Sequence, residues 1–274
     1  MPATAGSVGE ALGAAVDALR AAGVDSPRLD AELMLAEASG LDRARLAADP
    51  GGGVPATAAR RFGEMVRRRL RREPLAYILG RRGFRHIELA VDRRVLIPRP
   101  ETELLVELAL ELEPRTVLDV GTGSGAIALA VADELPGSRV VATDTSTAAL
   151  EAAAENARRL RLADRVSFLP GSVPEGGSFD LVLANLPYVA ERDWPSLQPE
   201  ITRWEPREAL LAGPDGLDAY RALVPRLSSS PAVGLEVGEG QAAAVAGLLR
   251  DAGFARTEKR LDLAGIERLV VGSR

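Results

Sequence analysis

Apolar residues recur at helical spacing through the first 75 or so residues, and this pattern predicts a small, purely helical domain. The first predicted helix, VGEALGAAVDALRAAG, ends at Gly23. The second, DSPRLDAELMLAEASG, has Ser26 as a candidate N-cap and ends at Gly40. After a linker, DPGGGVP, a third helix reads ATAARRFGEMVRRRLRREP and is closed by Pro74. We therefore predict an N-terminal helical domain over residues 1–75.

The third predicted helix is rich in arginine, and two interpretations are open. Its arginines can form a solvated face whose aliphatic stems cover apolar surface. Alternatively, they can form an electrostatic docking surface for an acidic partner or RNA. The first is favoured, because charge runs are usually solvated faces.

Between residues 76 and 100 the pattern changes to strict alternation. Ile87, Leu89 and Val91 alternate with polar or small residues, which predicts a short β-hairpin that links two domains. His86 lies at the start of this pattern, and we interpret it as a structural or surface histidine.

From residue 101 to residue 274, apolar strand-like runs alternate with helical patterns. The predicted strands read RTVLDVG, RVVATD, RVSFLP, FDLVLAN and AVGLEVG. Near-continuous apolar strands indicate burial on both faces, and the alternation with helices predicts an α/β domain with a parallel, doubly wound sheet.

The bulk composition narrows the possible functions. The chain has 274 residues, 46% of them hydrophobic, with a net charge of −5, which argues against binding nucleic acid through a global basic field. It has no cysteine and one histidine, so thiolate chemistry and a histidine-rich metal site are excluded. The N-terminus lacks a basic region, and no apolar run is long enough for a membrane helix, so we expect a cytoplasmic protein.

The first strand of the α/β domain ends in a glycine-rich loop, VLDVGTGSGAIAL. Gly121, Gly123 and Gly125 would let the chain turn sharply into a helix and let a ligand approach the backbone. Gly121, Gly123 and Ala126 also fit a loose form of the dinucleotide-binding pattern G-x-G-x-x-G/A. Asp144 ends the second strand, where a carboxylate can accept hydrogen bonds from the ribose hydroxyls of either NAD or S-adenosylmethionine. Asp119 favours S-adenosylmethionine, because an acid would repel a pyrophosphate and attract the ammonium of a methionine group.

The fourth strand ends in Asn185-Leu186-Pro187-Tyr188. The strand VLDVGTGSG resembles the first motif of class I methyltransferases, and this tetrapeptide resembles the Asn-Pro-Pro-Tyr motif of enzymes that methylate a planar amino nitrogen in adenine or glutamine. An amide oxygen of Asn185 and the backbone carbonyl of Leu186 can each accept one N–H of such a group. Pro187 fixes the turn, and the ring of Tyr188 can pack on the planar substrate. Leu186 stands where the motif has proline.

Further segments resemble the PrmC or HemK family, protein-glutamine methyltransferases that modify peptide chain release factors. They are RREPLAYILGRRGF, VDRRVLIPRPETELLVE, WEPREALLAGPDGLDAY and LEVGEGQ. A sister enzyme acting on a ribosomal protein has a different version of the Arg-Pro segment, so residues 97–103 favour the release-factor enzyme.

This resemblance implies a fold, a reaction and a set of site residues. The fold is a class I, Rossmann-like methyltransferase domain with a seven-stranded sheet and a small N-terminal helical domain that docks the partner. The implied cofactor is S-adenosylmethionine, and its implied contacts are Gly121, Thr122, Gly123, Ser124, Gly125, Asp144, Val173 and Asn185. The implied catalytic and substrate-binding residues are Asn185, Leu186, Pro187 and Tyr188, with Arg99 and Glu103 as further substrate contacts beside Pro98 and Thr102. No metal is implied.

The expected substrate is the glutamine of the Gly-Gly-Gln motif in class 1 release factors. We expect a monomer that binds neither membrane nor DNA. Three alternatives stay open from the sequence: a nucleic-acid adenine methyltransferase, the sister ribosomal-protein enzyme, and a binding protein that keeps the fold but has lost catalysis through Leu186.

Overall fold

The computed structural model of the chain describes residues 4–274, and the contacts among them form two units. The first contains the described residues up to Gly80 together with Gln198–Trp204; the second contains Arg81–Leu197 and Glu205–Arg274. The hairpin thus groups with the α/β unit, and a short segment from the C-terminal half belongs to the helical unit. The boundaries at residues 75 and 100 stay a prediction.

The first unit is mainly helical. Its elements are β1 Thr4–Ser7, α1 Val8–Ala21, α2 Pro27–Ser39, α3 Arg43–Ala48, β2 Gly53–Pro55, α4 Ala56–Leu70 and α5 Leu75–Leu79, with α9 Pro199–Trp204 added from the later segment. A capping box begins α1, because the Ser7 hydroxyl accepts from the Glu10 amide and the Glu10 carboxylate accepts from the Ser7 amide. The purely helical prediction was wrong at one point: β1 and β2 pair antiparallel, so part of the predicted linker is a strand.

The arginines at the end of α4 and just after it differ from both interpretations of the sequence, since Arg68, Arg69 and Arg72 are engaged in ion pairs within this unit. Buried Arg69 donates from Nε to Asp30 and from a terminal nitrogen to Glu200, both at 2.7 Å. Arg72 donates two hydrogen bonds to the same Glu200 carboxylate, at 2.6 and 2.7 Å. Arg68 pairs with Glu73 at 2.6 Å.

These ion pairs also explain why α4 ends at Leu70, before the predicted stop at Pro74. Arg72 adopts a positive φ of 64°, and its guanidinium donates to the carbonyls of Ala22 and Gly23. Pro74 instead caps the start of α5. Tertiary hydrogen bonds therefore set this helix end.

The second unit contains the hairpin and an α/β layer structure. Its strands are β3 Arg81–Phe84, β4 Ile87–Ala90, β5 Thr116–Val120, β6 Arg139–Asp144, β7 Val166–Pro170, β8 Leu181–Ala184, β9 Ala232–Glu236, β10 Arg256–Leu261 and β11 Glu267–Ser273. Its α-helices are α6 Glu103–Leu112, α7 Ala126–Glu134, α8 Thr147–Arg159, α10 Asp218–Leu223 and α11 Ala242–Asp251. Short 3-10 helices cover Pro100–Thr102, Glu191–Ser196, Arg207–Ala209 and Val224–Leu227.

Seven of these strands form one sheet in the order β10-β11-β9-β8-β5-β6-β7. The five strands from β9 to β7 are parallel, as predicted, whereas β11 runs antiparallel to both of its neighbours, β9 and β10. The pattern missed β10 because this edge strand is charged and largely exposed, so it carries no apolar signal. The β3–β4 hairpin is confirmed, and His86 is exposed at its turn. None of the helices among residues 4–274 has the length and apolar character needed to cross a membrane.

The ion pairs of Glu200 yield a stability prediction. Burial alone would raise the pKa of Glu200, but hydrogen bonds from Arg72 and Arg69 outweigh it and hold the pKa below its ordinary value. We expect Glu200→Gln to lower the free energy of unfolding by roughly 2–3 kcal/mol at neutral pH, because Arg69 and Arg72 lose their shared carboxylate.

Urea denaturation followed by circular dichroism measures this loss. Since the pKa is lowered in the folded state, the difference should be complete at neutral pH and vanish as the pH falls through that pKa. Asp17→Asn breaks the exposed Arg20–Asp17 pair and serves as the control, with an expected change within about 0.5 kcal/mol. Equal effects of the two substitutions would contradict the prediction.

Candidate active site

The candidate site lies where the order of the sheet reverses. β5 has β6 on one side and β8 on the other, so the chain proceeds outward in both directions from β5. Val120 and Ala184 are paired in register, and they end β5 and β8. The next residues along each strand, Gly121 and Asn185, are therefore neighbours at the carboxyl edge. Ligands of open α/β sheets bind in this crevice.

The glycine loop has the backbone conformation that its glycines allow. Gly121, Gly123 and Gly125 have φ values of 77°, 55° and 85°, which other residues rarely adopt. A Cβ built on Gly125 would lie 2.8 Å from a methyl of Leu129 in α7, whereas a Cβ on Gly123 meets no heavy atom within 4 Å. Gly125 thus permits close packing of the helix, and Gly123 leaves open space for a ligand.

The carboxyl of Asp119 holds the glycine loop through two hydrogen bonds. Its Oδ2 accepts from the Thr122 hydroxyl at 2.6 Å and from the Ala128 amide at 3.2 Å. Burial raises the pKa of Asp119 to about 7, against the lowering effect of these hydrogen bonds. Asp119 is completely buried and does not line the cavity at this edge of the sheet. The contact with a methionine ammonium stays a prediction.

Asp144 lies at the end of β6 beside the loop. Its two carboxylate oxygens accept from the amides of Gly123 and Ser146, both at 2.9 Å. These bonds fix the carboxylate and leave further lone pairs on both oxygens for a ligand. Asp144 is therefore held in place where hydroxyl groups of a ribose can reach it.

A cavity of about 330 Å³ lies over these residues, a size typical of small-molecule sites. Of the predicted site residues it is lined by Gly121, Gly123, Asp144, Asn185, Leu186 and Pro187. Residues that the sequence reasoning gave no role complete the walls: among others Val95, Leu96, Ser172, Pro206, Ala209 and Leu223. A mostly apolar wall, a fixed carboxylate and an open glycine loop suit a nucleoside joined to a short chain, as in S-adenosylmethionine.

The structure does not bring Val173 to this cavity. Val173 is buried in the hydrophobic core with Phe179, and its carbonyl accepts from Arg226 at 2.7 Å. Its neighbours Gly171 and Ser172 line the cavity instead, because β7 ends at Pro170 and the chain turns at Gly171. Gly171 and Ser172, rather than Val173, therefore face the cavity, and the implied adenine contact of Val173 stays a prediction.

Other predicted residues lie beside the cavity without lining it. Thr122, Ser124 and Gly125 shape the loop: the Ser124 carbonyl, for example, accepts from buried Asn156, which also holds Ala90 of the hairpin. Arg99 pairs with buried Glu205, whose second oxygen accepts from the Ile97 amide at 3.1 Å.

Glu103 and Tyr188 also do not line the cavity. Glu103 accepts from the Arg85 amide of the hairpin turn at 3.1 Å. The Tyr188 ring is half-buried, and burial raises its pKa to about 12. The substrate contacts of Arg99, Glu103 and Tyr188 stay predictions.

The Asn185–Tyr188 turn presents two free acceptors. Among the hydrogen bonds of residues 4–274, none is accepted by the Asn185 side-chain oxygen or by the Leu186 carbonyl oxygen. The Asn185 nitrogen donates to the Thr102 hydroxyl at 2.9 Å. Two unsatisfied oxygens at the rim of a cavity are suited to bind the two N–H groups of an amide or amino group.

Neighbouring chain segments fix this turn. The Gln241 side chain donates to the Tyr188 carbonyl at 2.9 Å and accepts from the Gly238 amide at 3.0 Å. A Cβ on Gly216 would overlap with the same Tyr188 carbonyl, so only glycine allows this approach. Leu186 packs on the glycine loop, where a Cβ on Gly121 would lie 3.2 Å from its methyl group. Leucine thus fills space between the glycine loop and the Asn185 turn.

Sequence reasoning missed Glu205 and Glu236 as site residues. Glu236 ends β9, and its carboxyl is buried beside Thr102. The rule that identified Asn185, a polar residue at the carboxyl end of a buried strand, applies equally to Glu236. No comparable signal marked Glu205, because its partners Ile97 and Arg99 are distant in sequence.

Asp144 yields a binding prediction. Asp144→Asn keeps the shape of the side chain but removes the charge, so we expect the affinity for S-adenosylmethionine to fall by roughly 10-fold or more. Isothermal titration calorimetry measures this change. Asp133→Asn, on the exposed side of α7, is the matched control and should leave the affinity unchanged. Unchanged affinity in Asp144→Asn, or tighter binding of NADH than of S-adenosylmethionine, would contradict the assignment.

Comparisons with known proteins agree with this architecture. Residues 10–80 match the PrmC N-terminal domain, and residues 117–205 match a methyltransferase domain. The catalytic domain of human METTL16 in complex with an RNA hairpin has a similar fold, with a TM-score of 0.57 at 16% identity over 68% of this chain and 74% of that chain. The N-terminal domain of human METTL16 in complex with SAH aligns with a TM-score of 0.52 at 16% identity over 81% of this chain and 85% of that one.

Curated relatives are similar over nearly the whole chain. The release factor glutamine methyltransferase of Moorella thermoacetica is 45% identical and covers 97% of this chain and 98% of its own length. Those of Cereibacter sphaeroides and Caulobacter vibrioides are 45% and 41% identical, covering 95% and 94% of this chain and 96% and 93% of their own lengths. With a glycine loop and an Asn-Leu-Pro-Tyr turn facing one cavity, this chain belongs to the family of release factor glutamine methyltransferases.

Proposed function

We propose that this chain transfers a methyl group from S-adenosylmethionine to the side-chain nitrogen of the glutamine in the Gly-Gly-Gln motif of class 1 release factors. The observation that carries the proposal is the pair of free carbonyl oxygens of Asn185 and Leu186 beside the glycine loop. Similarity to release factor glutamine methyltransferases over nearly the whole chain supports the same substrate.

The acceptor oxygens of Asn185 and Leu186 are suited to orienting a weak nucleophile. The lone pair of an amide nitrogen is delocalised into its carbonyl, so the nitrogen must be oriented before it can attack. The Asn185 and Leu186 oxygens each accept one N–H, which turns the lone pair toward the reacting carbon; each hydrogen bond contributes about 0.5–1.5 kcal/mol. S-adenosylmethionine supplies a methyl group activated by a positively charged sulfur.

In this proposal, the orientation of the two reactants supplies most of the rate acceleration. Holding two reactants in line lowers a barrier by about 7–11 kcal/mol. The nitrogen becomes acidic only after it is methylated, so its proton can leave to water without a strong base. Leu186 keeps the required backbone carbonyl, and Gln241 and Gly216 hold the turn although the proline ring of the motif is missing at position 186.

We also propose that the partner is bound as an intact protein. The helical unit carries the PrmC N-terminal domain and is expected to dock the release factor. The net charge of −5 disfavours a nucleic-acid substrate. Because release factors act on ribosomes, the cytoplasm is the proposed location, and the enzyme acts there as a monomer.

Asn185→Ala tests the role of the turn. We expect kcat to fall by roughly 100-fold or more, with little change in cofactor affinity, because orientation matters most in the transition state. Single-turnover methylation of a purified release factor is the measurement. Ser196→Ala, an exposed change further along the same loop, should retain full activity. Near-normal turnover in Asn185→Ala would show that Asn-Leu-Pro-Tyr is only a strand-ending turn.

Transfer of tritium from labelled cofactor tests the substrate. We expect incorporation into a class 1 release factor, with little into DNA, ribosomal large-subunit proteins or a short Gly-Gly-Gln peptide. The peptide lacks the remote contacts whose binding energy positions the reacting group. A release factor with glutamine changed to alanine in the motif is the matched control. Labelling of DNA, or equal turnover of peptide and intact protein, would contradict the proposal.

A further inference from the structure

Two arginines, Arg94 and Arg226, line the cavity of the candidate site. The guanidinium of Arg94 is engaged on all sides, because it donates to the carboxylates of both Asp92 and Glu155. Arg226 differs, since it makes no ion pair among residues 4–274. Its one hydrogen bond there runs from a terminal nitrogen to the Val173 carbonyl, at 2.7 Å. The other two guanidinium nitrogens have no partner in the described chain.

The order of the strands shows which end of the cavity Arg226 occupies. Strands β8, β5, β6 and β7 lie side by side, so their carboxyl ends present the Asn185 turn, the glycine loop, Asp144 and Gly171 in that order. The Gly171 amide donates to the Asp144 carbonyl at 2.8 Å, which places the turn after β7 directly beside the end of β6. Neighbouring strands lie about 4.8 Å apart, so this turn is about 10 Å from the glycine loop. Arg226 is bound to the same turn through Val173.

The walls at this end of the cavity suit a flat ring. Besides Arg226, they include Gly171 and Ser172 of the turn and Leu223 of α10. Leu223 belongs to the same hydrophobic cluster as Val173, which brings α10 next to the turn. A guanidinium is planar, delocalised and weakly hydrated, and it stacks on the faces of aromatic rings. A purine ring therefore matches both the apolar wall and the arginine.

We propose that Arg226 is a cofactor-binding residue whose guanidinium covers the adenine base of S-adenosylmethionine. With the ribose at Asp144 and the methionine part at the glycine loop, the base is left for the end of the cavity at β7, where Arg226 is bound. The methionine carboxylate would also attract a guanidinium, but the glycine loop lies two strands away from the turn. The inference concerns the cofactor and does not depend on which molecule accepts the methyl group.

Isothermal titration calorimetry with three ligands tests the contact. S-adenosylmethionine, S-adenosylhomocysteine and 5′-methylthioadenosine all contain adenosine, but the last lacks the amino-acid part. We expect Arg226→Met to weaken the binding of all three by the same factor, roughly 2- to 5-fold, because an exposed cation–π contact is lost. Arg250→Met is the matched control and should change none of the three affinities, since Arg250 is an exposed arginine of α11 that does not line the cavity.

Arg226→Lys separates a contact with the base from a contact with the turn. A lysine ammonium still donates to the Val173 carbonyl, but it has no planar face to lay on a ring. We expect the affinities of Arg226→Lys for the three ligands to lie closer to those of Arg226→Met than to those of the wild type. Full restoration by lysine would show that the hydrogen bond to the turn is the whole effect, and it would overturn the proposal.

Nuclear magnetic resonance gives a direct readout of the same contact. In the complex with S-adenosylhomocysteine, the two carbon-bound protons of the adenine ring should show nuclear Overhauser effects to side-chain protons of Arg226. The Arg226 signals are assigned by their loss in Arg226→Lys. Absence of these effects in the saturated wild-type complex would overturn the proposal.

The three ligands also separate the possible failures. If Arg226→Met weakens S-adenosylmethionine and S-adenosylhomocysteine but not 5′-methylthioadenosine, Arg226 binds the methionine carboxylate and the adenine contact is wrong. A change no larger than that of Arg250→Met removes Arg226 from the cofactor site. None of these binding measurements uses a methyl acceptor. The expected pattern in a protein that methylates no release factor would therefore support the role of Arg226 and reject the proposed function alone.

Discussion

The parallel pairing of β5 with β8 is the constraint on which the site depends. These two strands are far apart in sequence, yet Val120 and Ala184 are paired, and so the glycine loop and the Asn185 turn begin side by side. The order of the sheet reverses here, which opens the crevice above the strands. Leu186 then fills the space against Gly121, so the glycine loop and the Asn185 turn share one packed contact.

Two buried carboxyl groups flank this pair of strand ends. Asp119 on β5 holds the glycine loop, and Glu236 ends β9, the strand that pairs with β8. Burial raises the pKa of each to about 7, and each has one oxygen without a partner in the described chain. Buried, incompletely satisfied carboxyls are destabilising. Their position at the site gives a reason for that cost, because hydrogen bonds to a fixed carboxylate are strong and directional.

Arginine has a different role in the helical unit. The sequence of α4 suggested either solvation or docking, but Arg69 and Arg72 instead share the carboxylate of Glu200, which comes from a segment much later in the chain. Planar guanidinium groups suit such shared, bidentate contacts, and lysine would not replace them. Arg60, Arg61 and Arg67 of α4 are exposed, and Arg61 lies 3.9 Å from Glu37 of α2.

The sequence by itself determined the α/β class, the hairpin and the five parallel strands. It also determined the glycine loop with Asp144 and the Asn185–Tyr188 turn that follows β8. Each of these leaves a local signal, either an apolar period or a residue type that its backbone or chemistry requires. It could not determine the charged edge strand β10, the position of Val173 away from the cavity, or the end of α4. Nor could it assign partners to Arg69, Glu205 and Glu236. Those features depend on contacts between residues distant in sequence, whose energies appear only when the folded chain brings the groups together.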